Sequence, residues 1–441
     1  MATESFTGDT VLIDLGLDRG EPATYRKPTR STVPPWLAPL VVAVLVLAST
    51  VASASPPPPA LARVFSLRLG PTDAYAVTDA GDLITQGSGR ISRYDLGSGA
   101  LRWQSGSPAP ASRPRTSNGL VLIRPWSAGL SGIGDPGTTA IALGGGDVQW
   151  RRSGSVVALT GTTALFAVTG VRSLAGTGRR VEGSVDRVDP ADGSTRWQVD
   201  VPSTAVLLAV PGPAGSPRIL LVHDNRTAAV HDLDTGRLLV TGPMPPADYG
   251  PDNPTVSGGL ILLRHPGEHG AEISAFDPVT LELRWSRPAG DVDEIVTCEP
   301  YACLTGAGGV RALDPATGRT LWYQAGWRMV EQRGRHLLAS SAPASTSQTV
   351  GIVDPSTGVV VTDLRGWRPL TGSTGDDTLV VTRAVDAGAR SMVAVVRPGG
   401  DQPRLISELP PGTGDCQSAP GRLVCRSVTG ELVIWAYRVK G

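Results

Sequence analysis

Four cysteines, Cys298, Cys303, Cys416 and Cys425, and the run His265-Pro-Gly-Glu268-His269 are the residues whose types and spacing bear most directly on chemistry. The cysteines fall into two local pairs, each bracketing a Pro-containing turn between apolar residues. An even count in local pairs favours disulfides 298–303 and 416–425 in an oxidising compartment. A four-Cys zinc site is the alternative, but neither pair has the two-to-four-residue knuckle spacing with a nearby Gly. His265 to His269 matches the H-x-x-E-H pattern of one class of zinc peptidase, which needs both imidazoles on one helical face. Pro266-Gly267 inside the motif forbids that helix, so the run is read as a solvated hairpin loop.

Gly132, Gly134 and Gly137 match G-x-G-x-x-G, but Pro136 interrupts the loop and a strand-like stretch follows from Thr138 where a dinucleotide site needs a helix. Asn225-Arg-Thr227 is a glycosylation sequon by pattern. His223 and His231 flank it and read as loop or satisfied polar residues rather than ligands. No Ser or Cys nucleophile sits in a recognisable elbow, and no acidic cluster has calcium-loop spacing. The sequence therefore assigns no catalytic, cofactor-binding or metal-binding residue, and a non-enzyme without a cofactor is the expectation.

The elements that would position any site come from a repeated unit, best seen in Val310-Arg-Ala-Leu-Asp-Pro-Ala-Thr-Gly-Arg-Thr-Leu-Trp322. Two short β-type runs flank Asp-Pro-Ala-Thr-Gly. Pro315 presets φ for the second turn position, Asp314 accepts from backbone N–H groups two residues on, and Gly318 takes the positive φ. Each unit is a β-hairpin. The copies are Asp95/Gly99/Trp103, Asp189/Gly193/Trp197, Asp232/Gly236, Asp277/Trp285, Asp314/Gly318/Trp322 and Asp354/Gly358. Two degenerate ones are Ala142/Gly146/Trp150, which lacks the Asp, and Arg397-Pro398. Five of the ten Trp occupy one column, and Trp327 and Trp367 form a second, each in a Gly-Trp-Arg triplet. The repeated Asp residues need no acid–base role, since the first place of a turn explains them.

Anchors 37 to 47 residues apart, with short strands between 54 Gly and 38 Pro, have the period of a four-stranded propeller blade. Arg63–Leu69 reads as an orphan outer strand. The runs 422–426 and 431–437 read as inner strands lacking an outer one, so pairing them would complete a blade from both termini. Eight anchors plus this composite count nominally nine. With two degenerate copies, the expectation is an all-β propeller of about eight four-stranded blades over 62–441, with seven as the alternative.

Residues 1–33 form a polar tail read as disordered, whose apolar island Val11–Leu17 is either a docking peptide or a chance cluster. Residues 34–55 contain eighteen mostly apolar positions, Leu37 to Ala54, with Arg26, Lys27 and Arg30 before them. They are read as a single transmembrane helix with the N-terminus cytoplasmic and the propeller extracytoplasmic. Ala52-Ser53-Ala54 has the form of a signal-peptidase site, but the preceding region is too long for the ordinary signal peptide. No Cys precedes Cys298 to carry a lipid. Residues 56–61, with four Pro, are read as a stiff spacer.

The register Ala-Leu-Asp-Pro-Ala-Thr-Gly-Arg-Thr-Leu-Trp resembles the repeat of the pyrroloquinoline-quinone (PQQ)-like propeller superfamily, over about 62 to 441. The resemblance implies a Trp packed between blades. Quinoprotein dehydrogenases of that superfamily hold their cofactor against adjacent cysteines and a Trp, with calcium bound by carboxylates. No Cys-Cys occurs here. The family's outer-membrane assembly propeller has the fold without a cofactor but is a lipoprotein. The arrangement of tail, anchor, spacer and propeller resembles membrane-anchored proteins of high-GC Gram-positive bacteria.

A formal net charge of zero gives no electrostatic reason to expect nucleic acid. The expected partners are the membrane, through one helix, and a protein, peptide or cell-envelope ligand on one face of the ring. An enzyme using the central channel, quinoprotein-like or otherwise, is the alternative. Function is expected where the copies differ, as in the loops 106–118 and 211–217.

Overall fold

The computed structural model describes residues 34, 36–53, 59–106, 114–124, 137–159, 162–169, 183–201, 205–223, 226–245, 254–341, 348–372, 378–386 and 390–438. The tail with its island Val11–Leu17, residues 132–136 of the glycine-rich run, and Asn225 lie outside them.

The chain divides into two compact units, Met1–Pro58 and Pro59–Gly441. In the first, the helix Leu37–Ser53 has 17 residues and no charged side chain in either end turn. At about 1.5 Å per residue it falls short of the roughly 30 Å hydrocarbon core. No helix among the described residues is long and apolar enough to cross a membrane. The transmembrane helix expected over 34–55 is therefore not supported by the described helix, and Ala54 lies outside the described residues.

The second unit contains nine antiparallel sheets in chain order, each one propeller blade. Blades I to VIII each have four consecutive main strands. Blade I, for example, runs Ala74–Val77, Asp82–Gly87, Arg90–Asp95 and Leu101–Gly106. Blades II to VIII span 115–152, 155–201, 205–243, 255–288, 294–324, 329–363 and 368–409. Blade IX takes Thr413–Ala419, Arg422–Ser427 and Glu431–Tyr437 from the C-terminal end and Leu61–Arg68 from the other. Leu61 pairs with Tyr437 and Arg68 with Glu431 across the junction, so the composite blade foreseen from the two termini is present. It begins at Leu61, one residue before the expected boundary.

Nine blades replace the expected eight. The two degenerate copies make complete blades because the hairpin is closed by backbone groups. The N–H of Gly146 donates to Ala142 O at 2.9 Å, and that of Ala142 to Asp147 O at 2.8 Å, without an Asp side chain. At the other, Gly400 N–H donates to Arg397 O at 2.9 Å.

The core is divided into nine apolar seams, one between each pair of neighbouring blades around the ring. Second strands such as Leu120–Ile123 are wholly buried because a seam covers each face. The seam of blades IX and I joins Val424, Leu432 and Ile434 to Tyr75 and Leu83, which closes the ring.

Candidate functional site

The Asp-to-Trp signature builds the seams. In five blades the indole N–H of the outer-strand Trp donates to the carbonyl oxygen one residue after the anchor of the next blade. The pairs are Trp103 to Leu143 (2.7 Å), Trp150 to Pro190 (3.0 Å), Trp197 to Leu233 (3.1 Å), Trp285 to Pro315 (2.8 Å) and Trp322 to Pro355 (2.8 Å). The same indoles cover Gly146, Gly193, Gly236, Gly318 and Gly358, all with φ between +68° and +82°. A side chain there would meet both a forbidden φ and a ring.

Blades IV and VII, which lack the Trp, fill its place in other ways. Blade IV has Val240 in the Trp column, and the glycine it would cover is replaced by Leu281, at φ 59°, buried against Val240. Blade VII has Thr362, whose hydroxyl donates to Gly400 O at 2.6 Å.

The anchor Asp residues cap their own turns. Asp95, Asp189, Asp232, Asp277, Asp314 and Asp354 accept backbone N–H bonds from residues two or three positions on. Asp95 also pairs with Arg102 and Asp277 with Arg284, and these bonds hold both carboxyls well below the usual range. Asp189 is lowered first by the Ala191 N–H and then by Arg196. Each of these carboxylates is engaged within its own turn.

Both disulfides are formed as paired from the sequence, Cys298–Cys303 within blade VI and Cys416–Cys425 within blade IX. His265 is buried and hydrogen-bonds Ser274 Oγ at 2.7 Å, whereas Glu268 and His269 are exposed beside the hairpin turn. His231 is buried with Nδ1 2.9 Å from Gly236 O, and His223 is buried in the same sheet.

What the repeats do not prescribe lies in the central channel. The first strand of each blade is the inner edge of its sheet, and in blades I to VIII that edge has no strand beside it among the described residues. Blade IX differs: Thr371–Gly372, from the connection inside blade VIII, adds to it in parallel, Thr371 opposite Gln417 and Gly372 opposite Ser418. Gly372 has φ +124°, and a Cβ there would run into the Ser418 carbonyl. Arg333 of blade VII holds the approach, donating from Nη1 to Leu370 O at 3.0 Å while its Nε pairs with Glu331 at 2.8 Å.

This crossing segment borders two channel cavities. One, of about 620 Å³, is lined by Asp79, Glu331, Arg333, His336 and Ser418. The other, of about 400 Å³, is lined by Arg115, Arg124 and Gln417 over an apolar wall of Leu122, Val156 and Val157. Burial first, and the Arg115 charge second, lower the Arg124 pKa. The sequence marked 106–118 as a stretch where copies differ but did not single out Arg115, Arg124, Arg333, Thr371 or Gln417. Their one available signal was polar character in or beside an inner strand.

Comparison with known proteins agrees with this architecture. A family model described as "Outer membrane protein assembly factor BamB" matches residues 181–374, the second half of blade III, blades IV to VII and the start of blade VIII. Residues 181–374 are thus similar to the PQQ-like β-propeller repeat family. Similar solved structures of this PQQ-like propeller include BamB from Moraxella catarrhalis, 16% identical, covering 86% of this chain and 99% of that one, with a TM-score of 0.39. The quinohemoprotein alcohol dehydrogenase from Comamonas testosteroni is 16% identical over 59% of this chain and 61% of its own, TM-score 0.39. A eukaryotic initiation factor is 9% identical over 80% of this chain and 93% of its own, with a TM-score of 0.50. No curated protein sequence matches the chain.

A PQQ and calcium site does not fit the described residues of this propeller. The four cysteines are held in disulfides 5 and 9 residues long, none between adjacent residues. Among the described residues no group of three or more His, Cys, Asp or Glu is placed to hold a metal ion.

Proposed function

We propose that this chain is a non-catalytic binding scaffold whose channel takes an extended segment of a protein or peptide partner. The observation that carries this reading is the addition of Thr371–Gly372 to the inner edge of blade IX. An inner blade edge thus already accepts a strand from outside its own blade, and among the described residues blades I to VIII present the same unpaired edge. Strand addition supplies affinity through backbone bonds and specificity through alternate side chains. The family described as an outer membrane protein assembly factor supports an assembly or scaffolding role over turnover. The two disulfides support a location outside the cytoplasm, in an oxidising compartment.

The test is capture of partners by the intact chain and by Thr371→Trp, which fills the space shared by the two cavities. The scaffold reading expects a partner on the wild type that is lost on the variant. Equal recovery by both, or none above background, contradicts it. An oxidoreductase is the rival, and an absorbance shift on adding PQQ and calcium to the purified protein would favour it.

A further inference from the structure

We propose that the cavity bounded by blades I, II and III is a binding site for an anionic head group, a carboxylate or phosphate, carried on a short apolar chain. Three observations converge there. First, among the described residues its lining holds two guanidinium groups, Arg115 and Arg124, and no carboxylate. Arg–oxyanion pairing is among the strongest polar contacts because the planar fork matches both oxygens. Second, Gln417 on the blade IX inner strand is 5% exposed, and its Nε2 has no hydrogen-bond partner among the described residues. Its Oε1 is engaged by the Val77 N–H at 3.4 Å, so the amide donor remains on a residue that lines the cavity. A buried donor without an acceptor costs about 1–3 kcal/mol, which an anion oxygen would relieve.

Third, the lining beside the charges is apolar and built into the seam: Leu122, the cross-strand partner of Arg115, and Val156 are 4% and 1% exposed. A largely apolar hollow with a few convergent polar groups is the usual form of a small-ligand site. The two arginines repel one another, and this contributes to the lowered Arg124 pKa. An anion between them would replace that repulsion with attraction on both sides. Arg124 is itself fixed by a 2.9 Å bond from Nη1 to Ser155 Oγ of blade III, so the charge is preorganised. The site is a property of the channel wall and stands whether or not a partner strand adds to the blade edges.

The test is isothermal titration of the intact chain with hexanoate, hexyl phosphate and hexanol at low salt. The proposal expects one of the two anions, or both, to bind with one-to-one stoichiometry and hexanol not to bind. The preferred anion assigns the head group. Arg115→Ala, on an exposed side chain, should weaken the anion about tenfold or more. Gln417→Leu should weaken it several-fold, and the exposed Arg287→Ala should leave it unchanged. Because Arg124 also ties two blades together, Arg115→Ala is the deciding variant and its circular dichroism should match the wild type. The proposal is overturned if hexanol binds as well as hexanoate, if no probe binds, or if a folded Arg115→Ala binds as the wild type does.

Discussion

The ring of Phe65 lies over Gly99: a Cβ on this glycine would stand 2.7 Å from Phe65 Cγ, and the residue sits at φ +75°. Phe65 belongs to the strand that joins blade IX, and Gly99 to the turn of blade I, so this contact repeats at the closing seam what Trp285 and Gly318 do between blades V and VI. Gly99→Ala should cost on the order of 2–4 kcal/mol, from the left-handed backbone and a ring that cannot retreat. Gly89→Ala has a similar φ, +69°, but nothing within 4 Å of the new methyl. It should cost only about 1–2 kcal/mol. Urea midpoints of the two variants separate the clash from the backbone effect.

The exchange at Val240 and Leu281 predicts a coupled pair. Leu281→Gly alone empties part of the seam between blades IV and V and should cost about 2–5 kcal/mol. Adding Val240→Trp to it recreates the indole-over-glycine arrangement of the other seams and should recover part of the loss. A double-mutant cycle with a favourable interaction energy supports this packing rule, and strict additivity argues against it.

Much of the architecture was legible because the hairpin signature is local: a turn needs particular residues at Asp314, Pro315 and Gly318 whatever surrounds it. The strand pairing of 63–69 with 431–437 was legible for a similar reason, since each run lacked partners nearby. The blade count was not, because Ala142 and Arg397 close their turns with backbone groups that leave no side-chain trace. The channel was invisible for a different reason. Arg115 and Arg124 come from blade II and Gln417 from blade IX, and they converge only when the ring closes. Thr371–Gly372 crosses to blade IX far upstream of its partners Gln417 and Ser418, with nothing in its own sequence to announce a strand.

Acid should act through the turn carboxylates. Asp95, Asp189 and Asp277 are all lowered in the folded chain by their arginine and N–H partners. Their contribution is therefore present above the ordinary Asp value of about 3.9 and is lost as pH falls through the lowered folded values. Asp277→Asn should be less stable than the wild type at pH 7, and the gap should close below about pH 4 as the wild-type carboxyl takes up its proton. A gap that persists unchanged in acid would mean that Asp277 acts through something other than its charge.

Reduction should loosen two blades. Loops closed across 5 and 9 residues correspond to about 2–3 kcal/mol each on the chain-entropy account. Peptide mapping without reductant should recover 298 linked to 303 and 416 linked to 425. Melting with and without reductant should show a lower midpoint for the reduced chain, with Cys298→Ser/Cys303→Ser and Cys416→Ser/Cys425→Ser each reproducing part of it.

The most direct test of a channel that binds an extended partner is photo-crosslinking from defined positions in cells. A benzophenone side chain at Ser117 or Glu331 would line the channel, and one at Val148 or Leu283 would lie on exposed outer strands. The account predicts partner adducts from Ser117 and Glu331 and none from the outer strands. Adducts from Val148 and Leu283 alone would contradict it.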